Sequence, residues 1–352
     1  MTQRSTHWPL VWLLLWLPLA YTAAVSEVVP GTLDVRWNEG AKDCAATSQP
    51  PLQVHAYEPQ TIILRQNPCA DFEANFLYLL IGSRKALLID TGAVADRNRM
   101  PLAATVLQLL PDAGGTKLPL LVVHTHKHLD HRSGDVQFQG LPGVQLVSAD
   151  LDSVRSFFGF SRWPEGVAHL ELGGRIVDVL PAPGHQSCHV VFYDSRTALV
   201  FSGDFLMPGR LLVDDAAEYR QSALRLIDFL EARPVSHILG GHIELDARGD
   251  TYWFGTQYHP NERSLALSNA DLLALPAAFD HFNGFYARYP DFVLFHSTRI
   301  LAAEAAGVLA VVVAGVWILI RLWKRRRLRM RRSSAGSESS PPVLLNKGSG
   351  GR

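Results

Sequence analysis

An apolar run that ends in a burst of histidines constrains this chain more than any other stretch. Residues 118–123 read Leu-Pro-Leu-Leu-Val-Val, and the next eight read His-Thr-His-Lys-His-Leu-Asp-His. Neutral imidazoles and ionised carboxylates are ligands for divalent first-row metals. His126 and His128 are placed to share one metal from a loop at a strand end, and Asp130 and His131 are placed to serve a second. Four such groups within six residues predict a metal site rather than solvated loop histidines.

The beginning of the chain has the composition of a targeting segment. Residues 1–24 carry Arg4, then an apolar run over 8–20, then small residues at 22–24. A basic start, a short apolar stretch and a small-residue end predict a signal peptide that is removed. An uncleaved signal anchor is the alternative, although the uncharged run is short for a full membrane span.

A longer apolar run near the other end predicts a transmembrane helix. Ile300 to Ile320 holds Glu304 as its single charged residue. Twenty-one residues at about 1.5 Å each reach roughly 31 Å, enough to cross the core of a bilayer. Lys324-Arg325-Arg326-Arg327 follow at once, and positive charge beside a span stays on the cytoplasmic side.

These ends predict a single-pass membrane protein whose main domain lies on the extracytoplasmic side, in a periplasm, at a cell surface or in a lumen. The expected parts are a signal peptide over 1–24, a domain over 25–295, a span over 300–320 and a basic, disordered tail over 321–352.

Net charge argues against a nucleic-acid partner once the ends are set aside. The whole chain has 33 basic and 33 acidic residues. Residues 321–352 hold ten of the basic and one of the acidic residues, and Arg4 lies in the first segment, so residues 25–320 carry a net charge of −10. An acidic domain repels phosphodiester backbones. We therefore expect a small-molecule substrate and a membrane as partners, and no RNA or DNA.

Three cysteines stand at positions 44, 69 and 188. Export permits disulfides, and a bridge between Cys44 and Cys69 would stabilise the irregular N-terminal part by about 3 kcal/mol. Whether that bridge forms is left open. Cys188 is expected to be a small buried thiol without a metal.

Short apolar runs separated by turns indicate an α/β chain with many short strands. Thr61–Leu64 and Asn75–Ile81 read as strands, and Gly82-Ser83-Arg84 turns the second run into the next, which ends at Asp90-Thr91-Gly92. Residues 95–110 are expected to form a helix. The aromatic stretch 151–166 is expected to pack rather than to cover the site as a lid, and the aromatics near 279–286 either line a substrate wall or pack.

Three further candidate ligands follow strand-like runs. Pro183-Gly184 fixes a tight turn that can direct His185 inward, Gly203 precedes Asp204, and Gly241 precedes His242. His124 is expected at a strand end without a ligand role, and His189 and His237 are not assigned to the site.

Five segments in order, Asp90-Thr-Gly, Thr125-His-x-His-x-Asp-His131, Gly184-His185, Gly203-Asp204 and Gly241-His242, resemble the motifs of the metallo-β-lactamase superfamily. The resemblance implies an αββα sandwich with the metals at one edge. It implies that His126, His128 and His185 hold one metal, that Asp130, His131 and His242 hold another, and that Asp204 bridges both. Asp90 would orient a ligand histidine without touching metal, or else simply form a turn.

The same resemblance implies a hydrolase with two Zn²⁺ ions, iron or manganese being alternatives. Two metals would lower the pKa of a bridging water, the hydroxide would attack a carbonyl carbon, and Asp130 would orient it or pass its proton to the leaving group. Asp204 resembles the bridging aspartate of the thioesterase, lactonase and esterase branches of the superfamily. An ester, thioester or lactone is therefore the expected substrate. A β-lactam hydrolase, a mononuclear iron enzyme similar to persulfide dioxygenases and a binding module with a degenerate site are the alternatives.

Overall fold

The structure is a computed structural model that describes residues 27–336, with side chains through residue 330. The segment 1–24, for which we predict a signal peptide, lies outside the described residues. The described chain contains helices and many short strands, as the sequence predicts.

The elements of the N-terminal half are β1 (Leu52–Glu58), β2 (Thr61–Gln66), β3 (Phe76–Ile81), β4 (Ala86–Ile89), α1 (Leu102–Leu109), β5 (Asp112–Ala113), β6 (Thr116–Lys117), β7 (Leu120–Val123), α2 (Leu129–Arg132), β8 (Val144–Leu146) and α3 (Leu151–Phe158). The elements of the C-terminal half are β9 (Ala168–Glu171), β10 (Ile176–Pro181), β11 (Val190–Asp194), β12 (Leu199–Gly203), β13 (Arg210–Leu212), α4 (Ala216–Leu230), β14 (His237–Gly240), β15 (Ala266–Leu267), α5 (Asn269–Asp280), β16 (Tyr286–Arg288), β17 (Val293–Phe295) and α6 (Ser297–Gly336).

Two six-stranded sheets pack face to face. Their strand orders are β1-β2-β3-β4-β7-β8 and β15-β14-β12-β11-β10-β9. Successive side chains of a strand point to opposite faces, so Tyr78 enters the core between the sheets while its neighbours Leu77 and Leu79 enter an outer core. In the second sheet, Val179 faces inward and Leu180 faces outward. Each sheet is therefore buried on both faces.

Helices cover the two outer faces. Helix α1 packs on the first sheet through Leu102 and Val106, and α4 and α5 pack on the second sheet. Helix α4 begins where Asp215 accepts a hydrogen bond from the Glu218 amide at 3.0 Å, an N-cap that satisfies a free backbone donor. The layers run helix, sheet, sheet, helix, which confirms the αββα sandwich.

The strand directions bring several strand ends to one edge. Strand β4 runs parallel to β7, and β12 runs parallel to β14. Strand β10 is antiparallel to β11, which is antiparallel to β12, so β10 and β12 point the same way. The segments after β4 and β7 lie together, and so do those after β10, β12 and β14. Loops after such strand ends are the usual place for a site.

Helix α1 is shorter than the sequence predicts. We expected a helix over residues 95–110, but it begins at Leu102 directly after Pro101. A proline ring disfavours helical backbone in the residue before it, so Met100 cannot continue a helix into Pro101, and the prediction was wrong for the first seven residues. The pair Gly114-Gly115 forms the turn between β5 and β6.

Helix α6 has the length and composition to cross a membrane. Its most apolar 18-residue window has a mean hydropathy of 2.4, and none of that window is buried. The helix continues to Gly336, sixteen residues beyond the predicted end of the span at Ile320. Residues 337–352 lie outside the described part of the chain.

The open question about the N-terminal cysteines has an answer in the structure. Cys44 and Cys69 form a disulfide, while Cys188 is a free and buried thiol, as expected. The aromatic stretch also behaves as predicted, because Phe157, Phe158 and Phe160 join the core between the two sheets. Phe279 and Phe282 pack in the outer core under α4 and α5.

Candidate metal centre

One group of ligand-type side chains surrounds a point beside the end of β7. His126 Nε2 lies 3.2 Å from His185 Nε2, and His128 Nδ1 lies 3.2 Å from the same atom. Asp204 Oδ2 lies 3.7 Å from His185 Nε2 and 3.9 Å from His126 Nε2. Four ligands at zinc's usual bond lengths on a tetrahedron lie roughly 3.3 Å apart. The spacing of this first cluster fits that geometry.

A second group lies beside the first. His131 Nε2 lies 3.1 Å from Asp130 Oδ2 and 3.2 Å from His242 Nε2. The other carboxylate oxygen of Asp204, Oδ1, lies 3.2 Å from His131 Nε2 and 3.5 Å from His242 Nε2. Asp204 therefore presents one oxygen to each cluster. In both clusters the candidate ligand atoms lie within 4.8 Å of one another.

Hydrogen bonds on the far side of three imidazoles fix which nitrogen faces the site. The Nδ1 atoms of His185 and His242 donate to the backbone carbonyls of Leu212, at 3.0 Å, and Glu73, at 2.6 Å. The Nδ1 atom of His131 donates to Asp90 Oδ2 at 2.9 Å. A neutral imidazole that carries its proton on Nδ1 has a lone pair on Nε2. In this tautomer Nε2 of His185 faces the first cluster and Nε2 of His131 and His242 faces the second, where cations would satisfy the lone pairs.

A buried atom without a partner supports the same conclusion. Asp204 is 6% exposed, and its Oδ1 has no hydrogen-bond partner. Leaving a buried carboxylate oxygen unpaired is costly, whereas a divalent ion between Asp204, His131 and His242 would satisfy it. The residues present therefore fit a pair of divalent metal ions.

Asp90 supports the site through its neighbours. Its carboxylate accepts hydrogen bonds from the Thr125 amide at 2.8 Å and the Thr125 hydroxyl at 2.9 Å, in addition to the bond from His131. Its φ of 64° lies in the left-handed region, which non-glycine residues occupy at a cost and often near functional sites. This conformation aims the carboxylate at the loop after β7. Asp90 therefore contacts His131 and Thr125 without belonging to either group of candidate ligand atoms.

The two clusters differ in how they hold protons. Burial lowers the pKa of His126 well below its usual value and lowers that of His185 to about 4, so both are neutral at pH 7. Burial also opposes charge on His242, but Asp204 and Asp130 raise its pKa to about 10. The same carboxylates raise the pKa of buried His131. Without a metal, protons therefore supply the positive charge of the second cluster.

Two glycines allow the loops to approach so closely. A Cβ on Gly241 would lie 2.6 Å from Asp204 Oδ1 and 2.8 Å from His131 Cε1. A Cβ on Gly184, whose φ is 133°, would lie 2.3 Å from the Cα of Tyr219. The glycines before His242 and His185 thus let the two histidines enter the site.

The neighbouring histidines have other partners. His124 Nε2 lies 2.8 Å from Asp135 Oδ1, and His189 donates from Nε2 to the Ser202 carbonyl at 3.0 Å while its ring stacks on His126. His237 is the first residue of β14 and lies away from the clusters. None of the three is among the grouped ligand atoms.

Two contacts of the second cluster escaped the sequence analysis. Nδ2 of the buried Asn75 lies 3.3 Å from Asp130 Oδ2 and 3.2 Å from His242 Nε2. The sole local signal is a polar residue directly before an apolar strand. Glu73 supports His242 through its backbone carbonyl, a role for which no side-chain signal exists.

A cavity of about 780 Å³ opens on the centre. His128, Asp130, Asp204 and His242 form part of its wall, so both clusters face it. Pockets for small molecules usually measure about 300–1,000 Å³. The cavity can therefore present a substrate of that size to the candidate metal centre.

Comparisons with known proteins agree with this geometry. The family model of the metallo-β-lactamase superfamily matches residues 70–242. An acyl-coenzyme A thioesterase of Gallus gallus is 24% identical over 52% of this chain and 77% of its own length. A hydroxyacylglutathione hydrolase of Maricaulis maris is 30% identical over 47% of this chain, and the match spans 61% of that relative.

A metallo-β-lactamase structure from Pontibacter korlensis matches with a TM-score of 0.45 and 16% identity, covering 66% of this chain and 100% of that one. The family model and the five motif segments gathered at one edge of an αββα sandwich lead to the same result. The chain belongs to the metallo-β-lactamase superfamily.

Proposed function

We propose that this protein is a hydrolase with two zinc ions that cleaves an ester, thioester or lactone at its carbonyl carbon. The observation that carries the proposal is the position of Asp204, which offers one oxygen to each of two complete ligand groups. We assign His126, His128 and His185 to one ion, Asp130, His131 and His242 to the other, and Asp204 to both.

The chemistry divides between the ions and the chain. Two zinc ions held here would supply a hydroxide nucleophile near neutral pH and polarise the substrate carbonyl. Asp130 lies in the cavity wall with a partly exposed carboxylate, where it can accept the proton of the nucleophile and return one to the leaving group. Asn75 holds Asp130 in place by its hydrogen bond to Oδ2.

No thiol nucleophile takes part in this mechanism. Cys188 is 1% exposed, and burial raises the pKa of its thiol. A thiol with a raised pKa is a poor nucleophile because the thiolate is the reactive form. The relatives named as a thioesterase and a hydroxyacylglutathione hydrolase support cleavage of a thioester or a related ester.

We also propose that helix α6 anchors the protein in a membrane, with the catalytic domain of residues 25–295 on the extracytoplasmic side. The exposed apolar window of α6 and the arginines that follow it support this arrangement. The Cys44–Cys69 disulfide supports an oxidising compartment. A signal peptide over residues 1–24 would deliver the domain there.

Metal analysis and an activity panel on the full chain, purified in detergent, test the hydrolase. We expect two zinc ions per chain and turnover of chromogenic esters, thioesters or lactones, abolished by a chelator and restored by zinc. One iron per chain with oxygen consumption and no hydrolysis would refute the proposal. Faster turnover of a cephalosporin than of any ester would show that the bond cleaved is the amide bond of a β-lactam.

An export-dependent reporter enzyme tests the topology. Fused after Phe295, the reporter should be active, because the domain before it is exported. Fused after Arg352, it should be inactive. The reverse pattern would contradict the proposed orientation.

A further inference from the structure

We propose that the substrate enters the metal centre from the membrane and carries a long hydrocarbon chain on an uncharged head group. This inference rests on the proposed hydrolase and on α6 as a membrane anchor. It specifies the substrate as an acyl ester, thioester or lactone that dissolves in the bilayer. The juxtaposition that supports it is a single cavity bounded at one end by candidate metal ligands and at the other by the first turns of α6.

The first turns of the apolar helix α6 line the far end of the cavity. Ile300, Leu301 and Glu304 line the same cavity as Asp130 and Asp204. Ile300 begins the predicted span, and Glu304 lies four residues further, about 6 Å along the helix axis. If Ile300 to Ile320 crosses the bilayer, this end of the cavity opens at the lipid surface.

Hydrogen bonds connect the start of helix α6 to the metal centre. The Leu212 carbonyl accepts the bond from His185, and Leu212 is paired with Phe295 where β13 runs parallel to β17. Helix α6 begins at Ser297, two residues after Phe295. A ligand histidine and the start of the helix are thus joined through one strand pair, so the opening toward the helix is a property of the fold.

Apolar side chains form a continuous part of the lining of this cavity. Met207, Leu212 and Phe295 line it, and Trp253 and Phe254 stand at its rim. Trp253 is 87% exposed and Phe254 is 82% exposed. Large exposed apolar side chains that adjoin one another mark an interaction surface, and tryptophan is enriched where protein meets the membrane interface. A hydrocarbon chain that slides from the bilayer past this rim remains in apolar surroundings.

The charges around the cavity select the head group. Glu244 and Glu304 line it beyond the candidate metal ligands, while the lining arginine, Arg210, is paired with Glu244 at 3.3 Å and is not free to bind an anion. Carboxylates repel an anionic ligand, most strongly where low-dielectric walls exclude water. A polyanionic leaving group such as coenzyme A is disfavoured here, which separates this chain from its thioesterase relative. An uncharged head is compatible with the cavity.

A chain-length series on the full protein in phosphatidylcholine nanodiscs tests the proposal. The probes are thioesters of one uncharged thiol, N-acetylcysteamine, with acyl chains of two to sixteen carbons. Each buried CH₂ adds favourable transfer energy, so we expect kcat/KM for twelve to sixteen carbons to exceed that for four by at least about tenfold. Equal kcat/KM across the series would overturn this inference and leave the hydrolase intact. A protein with two zinc ions that cleaves none of these probes and no ester would overturn the proposed function itself.

Variants at the rim test the route. Replacing both Trp253 and Phe254 with alanine should lower the ratio of long-chain to short-chain kcat/KM by about tenfold, because the chain loses apolar contacts. Leu273→Ala is the matched control, since Leu273 is 53% exposed on α5 and does not line the cavity. An unchanged ratio in the double variant, with normal metal content and circular dichroism, would contradict the proposed route.

The head group has its own test. Palmitoyl-coenzyme A and S-palmitoyl-N-acetylcysteamine share one acyl chain and differ in charge. We expect kcat/KM for the uncharged thioester to be at least about tenfold higher, because the carboxylates of the cavity repel the anion. Equal or faster cleavage of the coenzyme A thioester would overturn the uncharged-head assignment.

Discussion

Oδ2 of Asp90 lies 2.9 Å from Nδ1 of His131, across the ends of two parallel strands. The contact holds the imidazole so that Nε2 faces Asp130 and Asp204. Partners of this kind orient a metal ligand and increase its basicity. Asp90 accepts this bond from an uncommon left-handed backbone conformation, so the fold stabilises a strained residue at the place where the contact is needed.

Asp90→Asn should weaken metal binding at the second cluster by about 10- to 100-fold, because the amide keeps the shape but loses the charge that supports His131. Zinc titration of the metal-free protein measures this loss. Asp280→Asn, at a surface ion pair with Arg220, is the control and should leave zinc affinity unchanged. Wild-type affinity in Asp90→Asn would show that the carboxylate charge does not support the site.

Asp130→Asn should reduce kcat by about 10²- to 10⁴-fold, because an amide cannot take up or return the proton. The buried sheets do not depend on this side chain, so circular dichroism and the melting temperature should stay close to those of the wild type. Steady-state hydrolysis at saturating zinc measures the effect on turnover. An unchanged kcat would refute the assigned role of Asp130.

Acidification should remove the metal of the second cluster first. Metal binding must displace protons from its ligands, and the pKa of His242 is raised to about 10 while that of His185 is lowered to about 4. A histidine with a raised pKa regains its proton at higher pH, so affinity at His131 and His242 falls earlier as pH decreases. Zinc content after dialysis from about pH 8 to about pH 4 should therefore fall in two steps. Loss of both ions in one step would contradict the difference between the clusters.

Gly241→Ala should disturb the second cluster by steric overlap. The added methyl group would lie 2.6 Å from Asp204 Oδ1 and 2.8 Å from His131 Cε1, which forces both side chains away from the metal position. Overpacking of this kind typically costs about 1–3 kcal/mol of stability. We expect less than two zinc ions per chain and a lower melting temperature. Gly307→Ala, with no atom within 4 Å, should leave zinc content at the wild-type value, and an equal zinc content in Gly241→Ala would refute the argument.

Removing the disulfide should destabilise the N-terminal part without changing the site. Closure of the 25-residue separation between Cys44 and Cys69 contributes about 3 kcal/mol on the loop-entropy estimate. The double variant Cys44→Ser and Cys69→Ser should lose about this much in urea unfolding. Cys188→Ser changes the remaining cysteine and keeps the bridge, so equal destabilisation by both variants would argue against a stabilising bridge.

The candidate ligands were predictable because each lies in a short motif that follows a strand. His126, His185 and His242 lie on loops. Apolar runs in the sequence predict the strands before these loops. Asn75 and Leu212 were not predictable. Asn75 meets Asp130 across 55 positions, and Leu212 meets His185 through its backbone carbonyl. Such partners depend on how distant strands pair, which no local pattern reports. The prediction of where α1 begins was wrong for a local reason, because Pro101 outweighed the apolar periodicity of the segment.

The pairing of β13 with β17 has a consequence for the order in which the chain is assembled during translation. Strand β13 holds the carbonyl that supports His185, and within the described chain its sheet consists of β13, β17 and β16. All seven candidate ligands have been synthesised by residue 242, but the strand that braces Leu212 is synthesised only at residues 293–295. Because synthesis runs at about 5–20 residues per second, several seconds separate the synthesis of His242 from the synthesis of β17. We therefore expect stable metal loading to be a late event, nearly simultaneous with the emergence of the apolar helix.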